Sequence, residues 1–195
     1  MKKYELLVDD TITFFGVQLF RIKALISFSG IEKGELGGYV ASETNLSQSG
    51  NAWVSGNARV YGNARVYGNA EVSGNAEVSG NARVYGDARV YGNAEVSGNA
   101  RVYGNARVYG NAWVSGNARV YGNADYIVFK NTWSSGRYFT YTKSNKNWRV
   151  GCFYGSGAEL VEKAYKDSKK SGDFYKAYVD FVEKLEEIEN IHKEQ

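Results

Sequence analysis

The chain has 195 residues and a formal net charge of +3 at neutral pH, enough for one or two small domains with a modest core. A single cysteine, Cys152, excludes an intramolecular disulfide and argues against a cysteine-based zinc site. No apolar run approaches the roughly eighteen residues of a membrane span, and MKKYELLVDDTITFF lacks the apolar stretch and cleavage site of a signal peptide, so a cytoplasmic protein without membrane contact is expected.

Residues 1–49 are read as a β-rich N-terminal cap leading into a first irregular coil. YELLVDDTITFFGVQLFRIKALISF, residues 4–28, has strand composition with a turn near Gly16. GGYVASETNLSQSG then runs into the repeat. Proline is absent from the whole chain, which suits β-ladders that need every backbone N–H.

Residues 50–124 repeat a six-residue phrase, G-N-A-x-V-x, through twelve successive hexads from Gly50 to Tyr121, with Asp87 in place of Asn in one of them. Valines fall at 54, 60, 66 and onward to 120 without a slip. Within A-x-V-x, apolar and polar positions alternate, which places Ala and Val on one buried face of a short strand of about four residues. Gly and Asn supply the bend, since both tolerate left-handed backbone angles. Corners that recur in one direction cannot build hairpins; they coil the chain into a solenoid whose sides pair in parallel with the coils above and below. Three valines per lap are too few to offset the ordering of eighteen residues, so neighbouring coils and capped ends must contribute.

Residues 125–195 are read as an α/β C-terminal cap. DYIVFK and RYFTYTKSNKNWRVGCFYG form a β-meander with a turn at KSNKN, and Cys152 is expected as a small buried hydrophobe. Ser156-Gly-Ala-Glu159 is a capping box that opens a helix ending at 171–173. Asp173 then caps a last helix whose apolar face carries Phe174, Tyr178, Phe181, Leu185 and Ile188, widened by Tyr175, Val179 and Val182, and packs on the meander.

Charge separates the regions. Residues 50–124 carry seven arginines and no lysine against Glu71, Glu77, Glu95 and Asp87, whereas the flanks are nearly neutral. With three hexads per lap, hexads three apart share a side. One side then presents Arg65, Arg83, Arg101 and Arg119 beside Tyr67, Tyr85, Tyr103 and Tyr121. A second mixes Trp53, Glu71, Arg89 and Arg107; the third mixes Arg59, Glu77, Glu95 and Trp113. The uniform side has two readings. Tyrosines stacked on one another with arginines lying across them could simply sheath a thin core. Alternatively, guanidinium groups beside rings form a platform for an anionic ligand, a nucleotide or nucleic acid, or a protein partner. A homo-oligomer contact is a third reading.

The hexad V-x-G-N-A-x resembles the hexapeptide repeat of left-handed parallel β-helices, and VASETN at 40–45 followed by Leu46 fits that pattern. GELGGYVASETNLSQSGNAWV, the GNARVYGNA units and GCFYGSGAELVEKAY, in that order, look like hexapeptide-repeat proteins of bacteriophages and prophages. The resemblance implies a mainly β fold: a left-handed parallel β-helix with a β-rich N-terminal cap and a small α/β C-terminal cap ending in two helices. It implies a phage-associated origin in a bacterial host cell and no particular activity.

Many left-handed β-helix proteins are acyltransferases that use a histidine base between coils. Here the only histidine is His192, close to the C-terminus, and no insertion breaks the hexads. No catalytic residue, metal site or cofactor is expected. The expected function is non-enzymatic binding or scaffolding, as a host-modulating or counter-defence protein. An orphan acyltransferase-like enzyme and a virion-associated structural protein are the alternatives.

Overall fold

The computed structural model of the chain describes residues 2–193. The N-terminal hairpin pairs β1 (Tyr4–Phe14) with β2 (Val17–Ala24) through a two-residue turn in which both Phe15 and Gly16 have positive φ, the geometry that matches the twist of a hairpin. A third strand, β3 (Leu36–Val40), is antiparallel to β2 and parallel to the first repeat rung beside it. It converts the hairpin into an extension of the solenoid.

Twelve two-residue rungs follow: β4 (Trp53–Val54), β5 (Arg59–Val60), β6 (Arg65–Val66), β7 (Glu71–Val72), β8 (Glu77–Val78), β9 (Arg83–Val84), β10 (Arg89–Val90), β11 (Glu95–Val96), β12 (Arg101–Val102), β13 (Arg107–Val108), β14 (Trp113–Val114) and β15 (Arg119–Val120). They form three parallel sheets, β4-β7-β10-β13, β5-β8-β11-β14 and β6-β9-β12-β15. Partners are eighteen residues apart, as in Val72 against Val90 and Val84 against Val102. The three-hexad lap is therefore the observed one, and the twelve rungs make four regular coils.

The strands are shorter than the four residues expected, because only x and Val lie in the strict ladder. Hydrogen bonds such as Trp53 N–H to the Ala70 carbonyl and Ser55 N–H to the Val72 carbonyl extend the pairing on both sides. Each repeat Ala and Val is at most 1% exposed. Alanine suits the narrow interior near the corner and valine fills the flat of each side.

At the corners only glycine takes the left-handed region; Gly56, for example, has φ 65°. The asparagines do not, contrary to the sequence expectation. Their role is lateral: Asn57 donates to Asn75, Asn75 to Asn93 and Asn93 to Asn111, and Asn63, Asn81, Asn99 and Asn117 form a second such ladder. Amides carry both donor and acceptor, so identical side chains stacked along the axis satisfy one another.

Both ends are closed by side chains that complete the terminal rungs. At the N-terminal end the buried Lys3 ammonium donates to the carbonyls of Gly50 (3.3 Å) and Ala52 (2.8 Å). The Asn45 amide donates to those of Gly62 (3.0 Å) and Ala64 (2.9 Å). At the other end the Arg107, Trp113 and Arg119 N–H groups donate to Asn123 Oδ1, Thr140 Oγ1 and Ser144 Oγ. Tyr126 returns a hydroxyl to the Arg107 carbonyl at 2.8 Å. Ladder edges that would otherwise recruit another chain are thus covered.

The C-terminal cap is a four-stranded antiparallel meander of β16 (Tyr126–Lys130), β17 (Tyr138–Thr142), β18 (Asn147–Val150) and β19 (Phe153–Ser156). It is followed by α1 (Gly157–Asp167) and α2 (Lys169–Lys193). Its core joins Phe139, Tyr141 and Trp148 to Leu160, Ala164, Tyr175, Val179 and Val182. Ser156 and Glu159 form the expected capping box.

Four local expectations are corrected. The helix break falls at Ser168, not at 171–173. Gly172 lies inside α2 and faces α1, where a Cβ would meet the Tyr165 ring at 2.2 Å, so glycine there allows the close helix crossing. Asp173 is a helix-interior residue held by Lys169 (2.8 Å) and Tyr165 (3.0 Å), not a cap. Cys152 is exposed in the turn between β18 and β19. The buried stripe of α2 is Tyr175, Val179 and Val182, whereas Phe174, Phe181 and Ile188 are exposed. No helix among the described residues is long and apolar enough to cross a membrane.

Candidate binding face

The three sides of the solenoid carry different outer residues and differ in how far the caps cover them. On the β5-β8-β11-β14 side, Arg59, Glu77, Glu95 and Trp113 are all half-buried. Arg59 lies over the Phe14 ring at 3.9 Å and 3.8 Å from Glu77, while Arg149 from the C-terminal cap covers Trp113 at 3.8 Å. Glu95 has its carboxyl raised above the usual range, first by burial and then by the neighbouring Glu77. On the β4-β7-β10-β13 side, Trp53 is buried edge-on against Tyr4 and Phe28, and Arg89 pairs with Glu71 at 3.4 Å.

The β6-β9-β12-β15 side is open. Arg65, Arg83, Arg101 and Arg119 are exposed and lie in direct register, Arg65 opposite Arg83 and Arg101 opposite both Arg83 and Arg119. Among the described residues the arginine–carboxylate pairs are Arg21–Asp10, Arg59–Glu77 and Arg89–Glu71. None belongs to this side, so four guanidinium groups stand in line uncompensated.

Beside them Tyr67 and Tyr85 stack at 4.9 Å with planes 2° apart, and Tyr85 and Tyr103 at 5.2 Å and 7°. Tyr121 ends the column tilted by 59°, its ring against the Gly104 corner. The arginines do not lie across these rings: each cation–ring contact among the described residues involves other pairs. The reason is electrostatic. A stacked ring has its negative faces taken by its neighbours and offers only its positive edge, which repels a cation. What the column presents outward is therefore phenol hydroxyls next to guanidinium groups, all hydrogen-bond donors. Tyr67 has its hydroxyl pKa raised by burial and by Tyr85, with Arg83, Arg101 and Arg65 pulling the other way.

At the N-terminal end of this column lies a groove of about 430 Å³ lined by Thr44, Ser47, Arg65, Val66, Tyr67 and Arg83. Sequence reasoning grouped the eight Arg and Tyr residues correctly by side but missed Thr44 and Ser47. The irregular coil is offset by twenty residues, with Val40 opposite Val60 and Leu46 opposite Val66. Two extra residues between Leu46 and Val54 break the count of six. Aligning Leu46 with Val66 would have placed Ser47 under Tyr67.

Five stretches of the repeat, residues 52–68, 58–74, 76–92, 82–98 and 100–116, match the family model described as the YdcK Beta solenoid repeat. The chain is a β-solenoid repeat protein. The matched stretches all lie within the four regular coils and leave both caps outside them. No curated protein matches the chain.

Proposed function

We propose that this β-solenoid is a non-enzymatic binding module whose β6-β9-β12-β15 side holds the phosphate backbone of a nucleic-acid strand. The single observation that carries the reading is the line of four exposed guanidinium groups, one per rung about 4.8 Å apart, with no carboxylate paired to them among the described residues. Phosphate oxygens accept from guanidinium and phenol groups alike, and Arg binds them in a bidentate fork. Neither group is a proton acceptor near neutrality, which supports binding over acid–base chemistry on this side. The same reading takes the winding as left-handed and the chain as phage- or prophage-encoded, acting in the host cytoplasm in a host-modulating or counter-defence role; the hexapeptide-repeat resemblance supports both.

The test is fluorescence anisotropy with a labelled single-stranded oligonucleotide across a salt series. Wild type should bind with a log–log salt slope reflecting several phosphate contacts. The Arg83→Glu/Arg101→Glu variant should lose binding at least tenfold, and Arg107→Glu, on the neighbouring side, should not. Absence of wild-type binding, or an unchanged double variant, overturns the reading. Retention of an acidic protein in place of the oligonucleotide would assign the side to a protein partner instead.

A further inference from the structure

We infer that the groove at the N-terminal end of the tyrosine column is a slot for the base of a nucleoside phosphate, with the ring stacked on the free face of Tyr67. This rests on the phosphate-binding reading of the same side and adds a defined subsite to it.

The tyrosine column stops one ring short at its N-terminal end. In the regular coils, the position after each valine on this side is Tyr, and Tyr67, Tyr85 and Tyr103 stack face to face. One rung below Tyr67, the register of Leu46 on Val66 puts Ser47 in that place, its N–H bonded to the Val66 carbonyl at 2.9 Å. A serine side chain does not reach across a phenol ring. Tyr67 therefore has one face on Tyr85 and the other on the groove. At the opposite end Tyr121 leaves the stack and tilts onto the Gly104 corner, so the column does not continue in register there.

A planar ring inserted here continues the stack at the spacing the tyrosines already adopt. Here the column offers a ring face rather than an edge, and base–aromatic stacking is tolerant of base identity. The groove's volume lies within the range of small-ligand sites. The remaining walls favour negative charge: Arg65 and Arg83 are exposed and make no ion pair among the described residues, and Thr44 and Ser47 bring hydroxyls. Ser47 Oγ is shared with Ser49 at 3.1 Å and Thr44 Oγ1 with Ser42 at 2.7 Å, which fixes the rim. The carboxylate next in the chain, Glu43, is held by Lys2 at 2.6 Å. A ring with phosphates at one edge meets both requirements; a bare anion meets only one.

The probes are adenosine diphosphate, adenosine, inorganic pyrophosphate and a 5′-phosphorylated oligonucleotide, measured by isothermal titration calorimetry on the full chain. Adenosine diphosphate should bind at least tenfold tighter than adenosine or pyrophosphate. Ser47→Tyr, which supplies the missing ring, should abolish that binding while leaving oligonucleotide affinity along the arginines within twofold. Tyr67→Leu should weaken the nucleotide at least tenfold and covers the case in which Ser47→Tyr fails to fold by circular dichroism. A 5′-phosphorylated oligonucleotide that gains affinity over its unphosphorylated form, and loses the gain in Ser47→Tyr, would mark a strand terminus as the natural source; no gain would mark a free nucleotide. Pyrophosphate as tight as adenosine diphosphate, or either variant binding like wild type, overturns the slot. Oligonucleotide binding without nucleotide binding removes the slot and leaves the arginine side standing; loss of both removes both.

Discussion

Asn69 donates its side-chain amide to Asp87 at 3.0 Å, and the ladder ends there. Asn51 feeds Asn69 in the same way, but a carboxylate has no N–H to pass on. Of the three corner ladders this one alone is interrupted, at the single hexad that reads G-D-A. Asp87→Asn restores the donor toward Asn105. It should stabilise the protein by about 0.5–1 kcal/mol, read as a higher urea midpoint with an unchanged slope.

The corner glycines are not equivalent. A Cβ on Gly98, at φ 67°, would sit 2.9 Å from the Gly116 backbone nitrogen. Gly122 has φ −135° and open space around it. Gly98→Ala should therefore cost about 1–3 kcal/mol from left-handed strain and coil-to-coil crowding. Gly122→Ala should be neutral within about 0.5 kcal/mol. Paired thermal melts of the two variants check the contrast.

Asn45 is fully buried and its amide serves two carbonyls of the first regular coil. Asn45→Ala orphans both, and should cost about 2–4 kcal/mol from the two unmet acceptors. The loss should be local to the end first. Hydrogen exchange should quicken at the Ser47 amide, which bonds that coil, while the central Arg83 amide keeps its protection.

Glu95 has its folded-state carboxyl raised by burial and by Glu77. The folded chain then holds a proton at a pH where the unfolded chain has released it. Its contribution is fully present below the ordinary glutamate value and is lost as pH rises through the folded one. Glu95→Gln should remove this slope, stabilising the protein near neutral pH and changing little at about pH 4. Urea titrations of both proteins across that interval read the difference directly.

Much of this architecture was legible in advance because the valines never slip. A strict period of six, with three sides to a lap, placed Arg65, Arg83, Arg101 and Arg119 on one side, and the register agrees. Legibility ended where the period did. The slot under Tyr67 depends on two additional residues after Leu46, whose effect on register is decided by how β3 and Leu46 dock. The helix break was misplaced because Ser171-Gly172-Asp173 has stop-signal composition. Tertiary packing of Gly172 on Tyr165 and the Lys169–Asp173 pair retain it inside α2. Cys152 looked buried by its apolar neighbours, yet a four-strand meander needs a turn there.

The terminal contacts also ration length. Asn123, Thr140 and Ser144 each complete a particular side of the last coil, and Lys3 and Asn45 do the same for the first. Adding or removing three hexads returns every lid residue to its own side. Adding or removing one would swing the whole C-terminal cap round by a third of a circuit and set its acceptors over foreign amides. Evolution can thus stretch this rod only in whole steps, and each step adds one more Arg and Tyr to the open side if the new hexads copy the old.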